Sequence, residues 1–135
     1  MKISPDLDDQ AVTDIAQVVT DLDLAGIIAT NTTILRDNLA TPAAVVAGIG
    51  EGGLSGAPVS EASVRVLALL RQTLARDKAV ISVGGVFTGQ EVKQRLDAGA
   101  SLVQAYTGFV YRGPLFAALL TRELSEALSG ASPRA

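Results

Sequence analysis

Three short segments of this 135-residue chain combine residue types that can do chemistry: Thr30-Asn31-Thr32-Thr33, Gly84-Gly85 and Tyr106-Thr107-Gly108. Each follows an apolar run of strand length. Gly84 and Gly85 lack Cβ atoms, so the backbone there can approach a ligand closely and offer consecutive N–H donors to an anion. Taken alone, the dipeptide reads first as a tight turn. Thr107 and Gly108 add a hydroxyl and another accessible backbone stretch, after the next strand. A parallel β/α barrel keeps its phosphate site on the loops after its last two strands, so turn and phosphate site both stay open here. Asn31 carries a donor and an acceptor in one plane, which suits an amide- or imide-bearing ring, and the threonine hydroxyls add partners. An isolated run of this kind also makes Asx and ST turns. Tyr106 by itself reads as packing at the edge of a core. Gly52-Gly53-Leu54-Ser55-Gly56 sets an apolar Leu inside a Gly/Ser stretch, as if folded back over something. Lys2 alone reads as a solvated terminal residue.

Composition removes other chemistries. The chain has no Cys, and no His. It therefore makes no disulfide, no thiolate or imidazole metal site, and no Ser-His or Cys-His pair from its own residues. Lys and Arg number 11 against 14 Asp and Glu, a net charge of −3. That balance argues against nucleic-acid binding through a basic surface. No run approaches the roughly 20 apolar residues of a membrane span, and no basic-then-apolar leader is present. The expected compartment is cytoplasmic. Aromatic residues are only 4%, so the core is expected to be aliphatic.

Strand-length apolar runs alternate with helix-period segments four times. Lys2-Ile3-Ser4 is the first strand, ended by Pro5. Asp8 and Asp9 are N-cap candidates for a helix with Val12, Ile15, Val19 and Leu22 on one face. Gly26-Ile27-Ile28-Ala29 has the continuous apolar character of a strand buried on both faces. From Asn31 to about Ser60 no periodic element is convincing, though Thr41-Pro42 is a possible start for a short helix. Long loops in compact domains are usually functional. A helix from about Ser60 to Leu74 precedes the strand Ala79-Val80-Ile81-Ser82-Val83. Thr88-Gly89-Gln90-Glu91 is a capping box, and Gly99 a C-terminal stop for the helix it opens. Leu102-Val103-Gln104-Ala105 is the last strand, and Pro114 starts a closing helix with Leu120, Leu124 and Leu128. Residues 129–135 lack apolar periodicity and are expected to be a disordered tail after a domain of residues 1–128. Such alternation with short connections specifies an α/β fold with a parallel sheet and right-handed crossovers. Four consecutive β/α units make either a small open sheet or half of a TIM (β/α)8 barrel, truncated relative to the whole.

Lys2-Ile3-Ser4-Pro5-Asp6-Leu7, Ala29-Thr30-Asn31-Thr32-Thr33, Gly52-Gly53-Leu54-Ser55-Gly56, Val83-Gly84-Gly85 and Ala100-Ser101-Leu102-Val103-Gln104-Ala105-Tyr106-Thr107-Gly108, in this order and spacing, resemble the C-terminal half of dihydroorotate dehydrogenase in its class 2, quinone-dependent branch. The resemblance runs from Lys2 to about Leu128. It implies an FMN-containing (β/α)8 barrel, an oxidoreductase of pyrimidine biosynthesis that oxidises dihydroorotate to orotate and passes electrons to a membrane quinone. Flavin-contacting positions carry over to Lys2, Thr30, Gly56, Gly85, Tyr106 and Thr107, and the substrate-contacting pair to Asn31 and Thr32. In that setting a Lys beside the N1/O2 edge of the flavin stabilises negative charge on the ring. Gly85 with Thr107 would cradle the FMN phosphate, and Asn31 would match the imide edge of the pyrimidine.

Two positions depart from the family pattern: Ala57 stands where a Lys or Arg is usual, and Ser82 where a Gly is usual. The resemblance further implies that the membrane-attaching helices, the first four strands and the catalytic Ser base belong to an N-terminal half outside this sequence. No catalytic residue and no metal ligand is therefore assigned to this chain. The complete enzyme would sit on the cytoplasmic face of the membrane, and this fragment would be cytoplasmic, inactive alone, and paired with a second copy or a separate N-terminal half. The alternatives are a non-catalytic half-barrel that binds phosphate or a partner, or another FMN- or phosphate-binding barrel.

Overall fold

The computed structural model describes residues 1–130. Its elements are β1 (Lys2–Ile3), α1 (Asp9–Asp21), β2 (Gly26–Ala29), α2 (Ala43–Ile49), a 3-10 turn (Ala57–Val59), α3 (Ser60–Thr73), β3 (Ala79–Val83), α4 (Gly89–Asp97), β4 (Leu102–Gln104), α5 (Thr107–Arg112) and α6 (Phe116–Ser129). The four strands form one sheet in the order β1-β2-β3-β4, and every pairing is parallel. These are four consecutive parallel β/α units, as the alternation predicts.

Side chains alternate between the two faces of each strand, and the two faces have different fates. Ile3, Ile27, Ala29 and Val80 are buried with Val12, Ala16 and Val19 of α1 and Val66, Leu67 and Leu70 of α3. Each fully buried Val or Leu there contributes about 1.5–3 kcal/mol of transfer free energy. The opposite face carries the cross-strand row Lys2, Ile28, Ile81 and Leu102. Ile28 and Ile81 are only half-buried, and Leu102 is 61% exposed. The expectation that β2 is buried on both faces thus holds for its helix-facing side alone. Among the described residues β1 and β4 each have one sheet neighbour, leaving an unpaired edge on both.

Local signals set the helix boundaries. The Asp8 side chain accepts from Ala11 N–H at 2.8 Å, so Asp8 is the N-cap and Asp9 the first helical residue. Thr88 and Glu91 form the reciprocal capping box, and the Glu91 carboxylate also takes the Phe87 N–H at 2.7 Å. Leu22, read as part of the buried stripe of α1, instead lies past the helix end and is 66% exposed; Ala16 occupies the stripe. Leu128 is likewise exposed on α6. Ala43–Ile49 does form the short helix, with Pro42 before it, yet buries none of its side chains. Two findings correct the C-terminal reading. Residues 107–112, for which the sequence reading names no element, are helical, and α6 begins at Phe116 rather than Pro114. Ser129 ends α6 and Gly130 caps it in the left-handed region, whereas the rest of the expected disordered tail, residues 131–135, lies outside the described residues.

Candidate functional site

The carboxyl ends of all four strands open onto one cavity of about 230 Å³. Its wall contains Lys2 from β1, Thr30, Asn31 and Thr32 after β2, Ser55 and Gly56 before α3, Gly84 and Gly85 after β3, and Tyr106 and Thr107 after β4. All eight positions singled out in the sequence, Lys2, Thr30, Asn31, Thr32, Gly56, Gly85, Tyr106 and Thr107, therefore share one site although the first and last lie 105 positions apart. Val59, Val83, Val86 and Ala105 supply its apolar surface. Parallel α/β folds concentrate ligand chemistry at this edge.

Each polar group is placed by a specific tether. Thr30 is buried; its N–H donates to Val83 O at 2.8 Å and its hydroxyl to Asn31 O at 3.1 Å, which locks the β2 exit against β3. The Asn31 N–H donates to Ile3 O at 2.7 Å, so the backbone is fixed while the exposed side chain stays available. Thr33 behaves differently from its neighbours. It bonds the Asp6 carboxylate and accepts the Leu35 N–H at 3.0 Å, the ST-turn geometry considered for the whole run. The run thus divides: Thr33 anchors the loop, and Asn31 and Thr32 line the cavity.

The Gly/Ser stretch does fold back. Leu54 and Thr33 form an antiparallel bridge, with N–H to O distances of 2.7 and 3.0 Å. A Cβ at Gly53 would fall 2.0 Å from Thr32 Oγ1, so only glycine permits that approach. Across the cavity the Thr107 hydroxyl donates to Ser55 Oγ at 2.9 Å, joining the loop before α3 to the start of α5. Tyr106 is 77% exposed, so the packing explanation for it does not hold. Lys2 is exposed and forms no ion pair among the described residues.

Gly85 sits at φ +67° in the left-handed region, and a Cβ there would lie 2.5 Å from Ser60 Cβ. The turn is pressed onto the start of α3 and requires glycine for both reasons. Neither the Gly84 nor the Gly85 N–H is spent on a backbone partner among the described residues. Behind the turn lies a residue that sequence reasoning missed. Arg95 of α4 is 1% exposed and donates to Ser63 Oγ and Ser82 Oγ, both at 2.9 Å, to Ser60 Oγ at 3.3 Å, and to Gly84 O at 2.5 Å. Burial pulls its guanidinium below its ordinary pKa, and the negative charge of Glu91 works in the opposite direction. Its available signal was position: Arg95 lies three residues after Val92, on the inward stripe of α4 where an apolar residue belongs.

Comparison with known proteins agrees with this architecture. The family model described as dihydroorotate dehydrogenase matches residues 1–128. Dihydroorotate dehydrogenase (quinone) of Leifsonia xyli subsp. xyli is 56% identical over 125 residues, which is 93% of this chain and 36% of the relative. The enzyme of the same name from Clavibacter sepedonicus is 57% identical over 117 residues, 87% of this chain and 34% of the relative. The crystal structure of DHODH from Eimeria tenella in complex with ferulenol superposes with a TM-score of 0.85 at 37% identity, over 96% of this chain and 34% of that one. The chain spans about a third of the length of the relatives it matches.

Proposed function

Since the chain belongs to the dihydroorotate dehydrogenase family, we propose that it supplies the cofactor-facing wall of a quinone-dependent, FMN-containing dihydroorotate dehydrogenase. The support is a single observation: the flavin positions Lys2, Thr30, Gly56, Gly85, Tyr106 and Thr107 and the substrate positions Asn31 and Thr32 all line the one cavity at the carboxyl edge of the sheet. The donor set suits the cofactor. Gly85 leaves a bare backbone cradle with the Thr107 hydroxyl on the same cavity wall, a combination suited to a phosphate. Lys2, unpaired by any carboxylate among the described residues, provides a cation for the electron-rich edge of a ring. Asn31, held through its backbone with a free carboxamide, matches an imide by donating and accepting in one plane. When bound, FMN supplies the acceptor for the hydride equivalent that leaves dihydroorotate.

Substrate oxidation also requires a base for the C5 proton, and no cavity-lining residue among those described fits. The Ser55 hydroxyl accepts from Thr107, Thr32 and Ser55 have no carboxylate or amine partner among the described residues, and Thr33, whose hydroxyl bonds the Asp6 carboxylate, does not line the cavity. Among the described residues β1 and β4 also lack an outer sheet neighbour, so no further strand encloses the cavity on either side against water. We therefore assign turnover to an assembly in which further β/α units close the barrel, and none to this chain alone. Two measurements test the assignment: absorbance of the purified chain after FMN addition, and a dye-linked dihydroorotate assay at saturating FMN. A yellow, inactive chain is expected. A chain that ignores FMN refutes the cofactor assignment and supports a non-catalytic, partner-binding half-barrel, a reading favoured by the exposed row around Leu102. No helix among the described residues is long and apolar enough to cross a membrane.

A further inference from the structure

We propose that Arg95 is a positioning residue for an anionic group on the Gly84-Gly85 turn, supplying from behind the turn a positive charge that the bound anion neutralises. The inference rests on the reading above, in which that anion is the phosphate of FMN. A buried charge normally has a counter-ion, because an uncompensated one costs several kcal/mol. Arg95 has none: its partners are three serine hydroxyls and one carbonyl, and no carboxylate lies within 4.0 Å of it among the described residues. Its Nε is buried without any partner. Glu91, the acidic residue one turn away, has its carboxylate committed to the Phe87 and Thr88 N–H groups. Guanidinium does not lose its proton in proteins, so the charge stays.

The geometry directs that charge at the cavity. Arg95 grips the oxygen of the Gly84-Gly85 peptide, which is trans. In a trans peptide the N–H points opposite to the C=O, so the Gly85 N–H faces away from Arg95. A cation on the carbonyl polarises the peptide and strengthens its N–H as a donor. Gly84 and Gly85 line the cavity, and Arg95 does not. It acts through the turn, without touching the ligand.

Riboflavin and FMN share a ring and differ by the phosphate, so titrating both into the full 135-residue chain isolates the anion contribution. The parent chain is expected to prefer FMN. Arg95→Met should weaken FMN by about tenfold or more, the scale of one charge at short range behind a low-dielectric wall, and leave riboflavin unchanged. Ser82→Asp keeps Arg95 and gives it a carboxylate partner, and should produce the same selective loss even where the methionine variant fails to fold. Arg95→Lys retains the charge and should retain the preference. Equal loss of both flavins, or full FMN preference in either charge-neutralised variant, would assign Arg95 a structural role only. A parent chain that binds both flavins equally removes the phosphate cradle. A parent that binds neither overturns the FMN reading itself and this inference with it.

Discussion

Replacing Gly85 with Ala tests whether the turn after β3 is shaped by its packing on α3. The added methyl meets Ser60 Cβ at 2.5 Å, Ser60 Cα at 2.6 Å and Ser60 N at 2.8 Å, and two of those three atoms are backbone. A side chain at φ +67° costs about 1–2 kcal/mol by itself. Relieving the overlap by moving the start of α3 costs about 1–3 kcal/mol more, as in other overpacked sites. The sum, roughly 2–5 kcal/mol, is a large fraction of the 5–15 kcal/mol typical of a domain. Two alanine controls separate the contributions. Gly113 has φ +79° and nothing within 4 Å of its missing Cβ, so Gly113→Ala pays only the conformational cost. Gly48 lies in α2 with open space and no positive φ, so Gly48→Ala should stabilise by about 0.5–1 kcal/mol. Urea unfolding followed by far-UV circular dichroism gives all three differences. Gly85→Ala costing no more than Gly113→Ala would refute the close approach of the turn to α3, and with it the preformed cradle.

Three further outcomes are expected. Leu70 is fully buried between α3 and the sheet, so Leu70→Ala should lower unfolding stability by about 2–5 kcal/mol in urea, with no comparable effect from Leu22→Ala. Glu123 receives Arg112 and the Gly89 N–H; the Arg112 hydrogen bond, opposed by burial, holds its carboxyl below the ordinary carboxylate pKa. A depressed carboxyl contributes stability that is present above its unfolded pKa and lost as pH falls through the folded one, so acid titration of unfolding should flatten in Glu123→Gln. Size-exclusion with light scattering should find the chain self-associated through the open edges of β1 and β4, and Leu102→Lys, on the exposed row, should shift it toward monomer.

The parts of this fold legible in the sequence are those with a local cause. Thr88 and Glu91 specify a helix start because the partners lie within one turn of each other. The run from Ala79 to Val83 reads as a strand because β-branched residues cluster in it. α5 was not legible, because Phe109, Val110 and Tyr111 are all exposed and leave no one-sided apolar pattern. Its placement comes instead from Gly108, where a Cβ would meet the Phe116 ring at 2.5 Å and Val86 O at 2.6 Å. That contact spans a loop and a strand exit, and no window of local sequence contains it.

The cavity residues and the charge behind them illustrate the same division at the level of chemistry. Asn31, Gly85 and Thr107 stand out because each sits directly after a strand, and parallel topology brings all strand exits to one edge whatever lies between them. Arg95 does not stand out, and Ser82 does so only as a departure from the usual Gly of the family pattern. Ser82 is one polar residue in an apolar strand, and Arg95 one of two cations, with Lys93, on a mostly polar helix. Each alone reads as a small local cost, and only their 2.9 Å contact, shared with Ser63, turns the two costs into a buried polar cluster. A local rule broken at two places that the fold brings together points to function rather than to error. Here the cluster lies directly under the Gly84-Gly85 turn, where a positive charge has the most effect on an anion. The FMN-to-riboflavin affinity ratio, compared between the parent and Ser82→Asp, measures that effect with the guanidinium left in place.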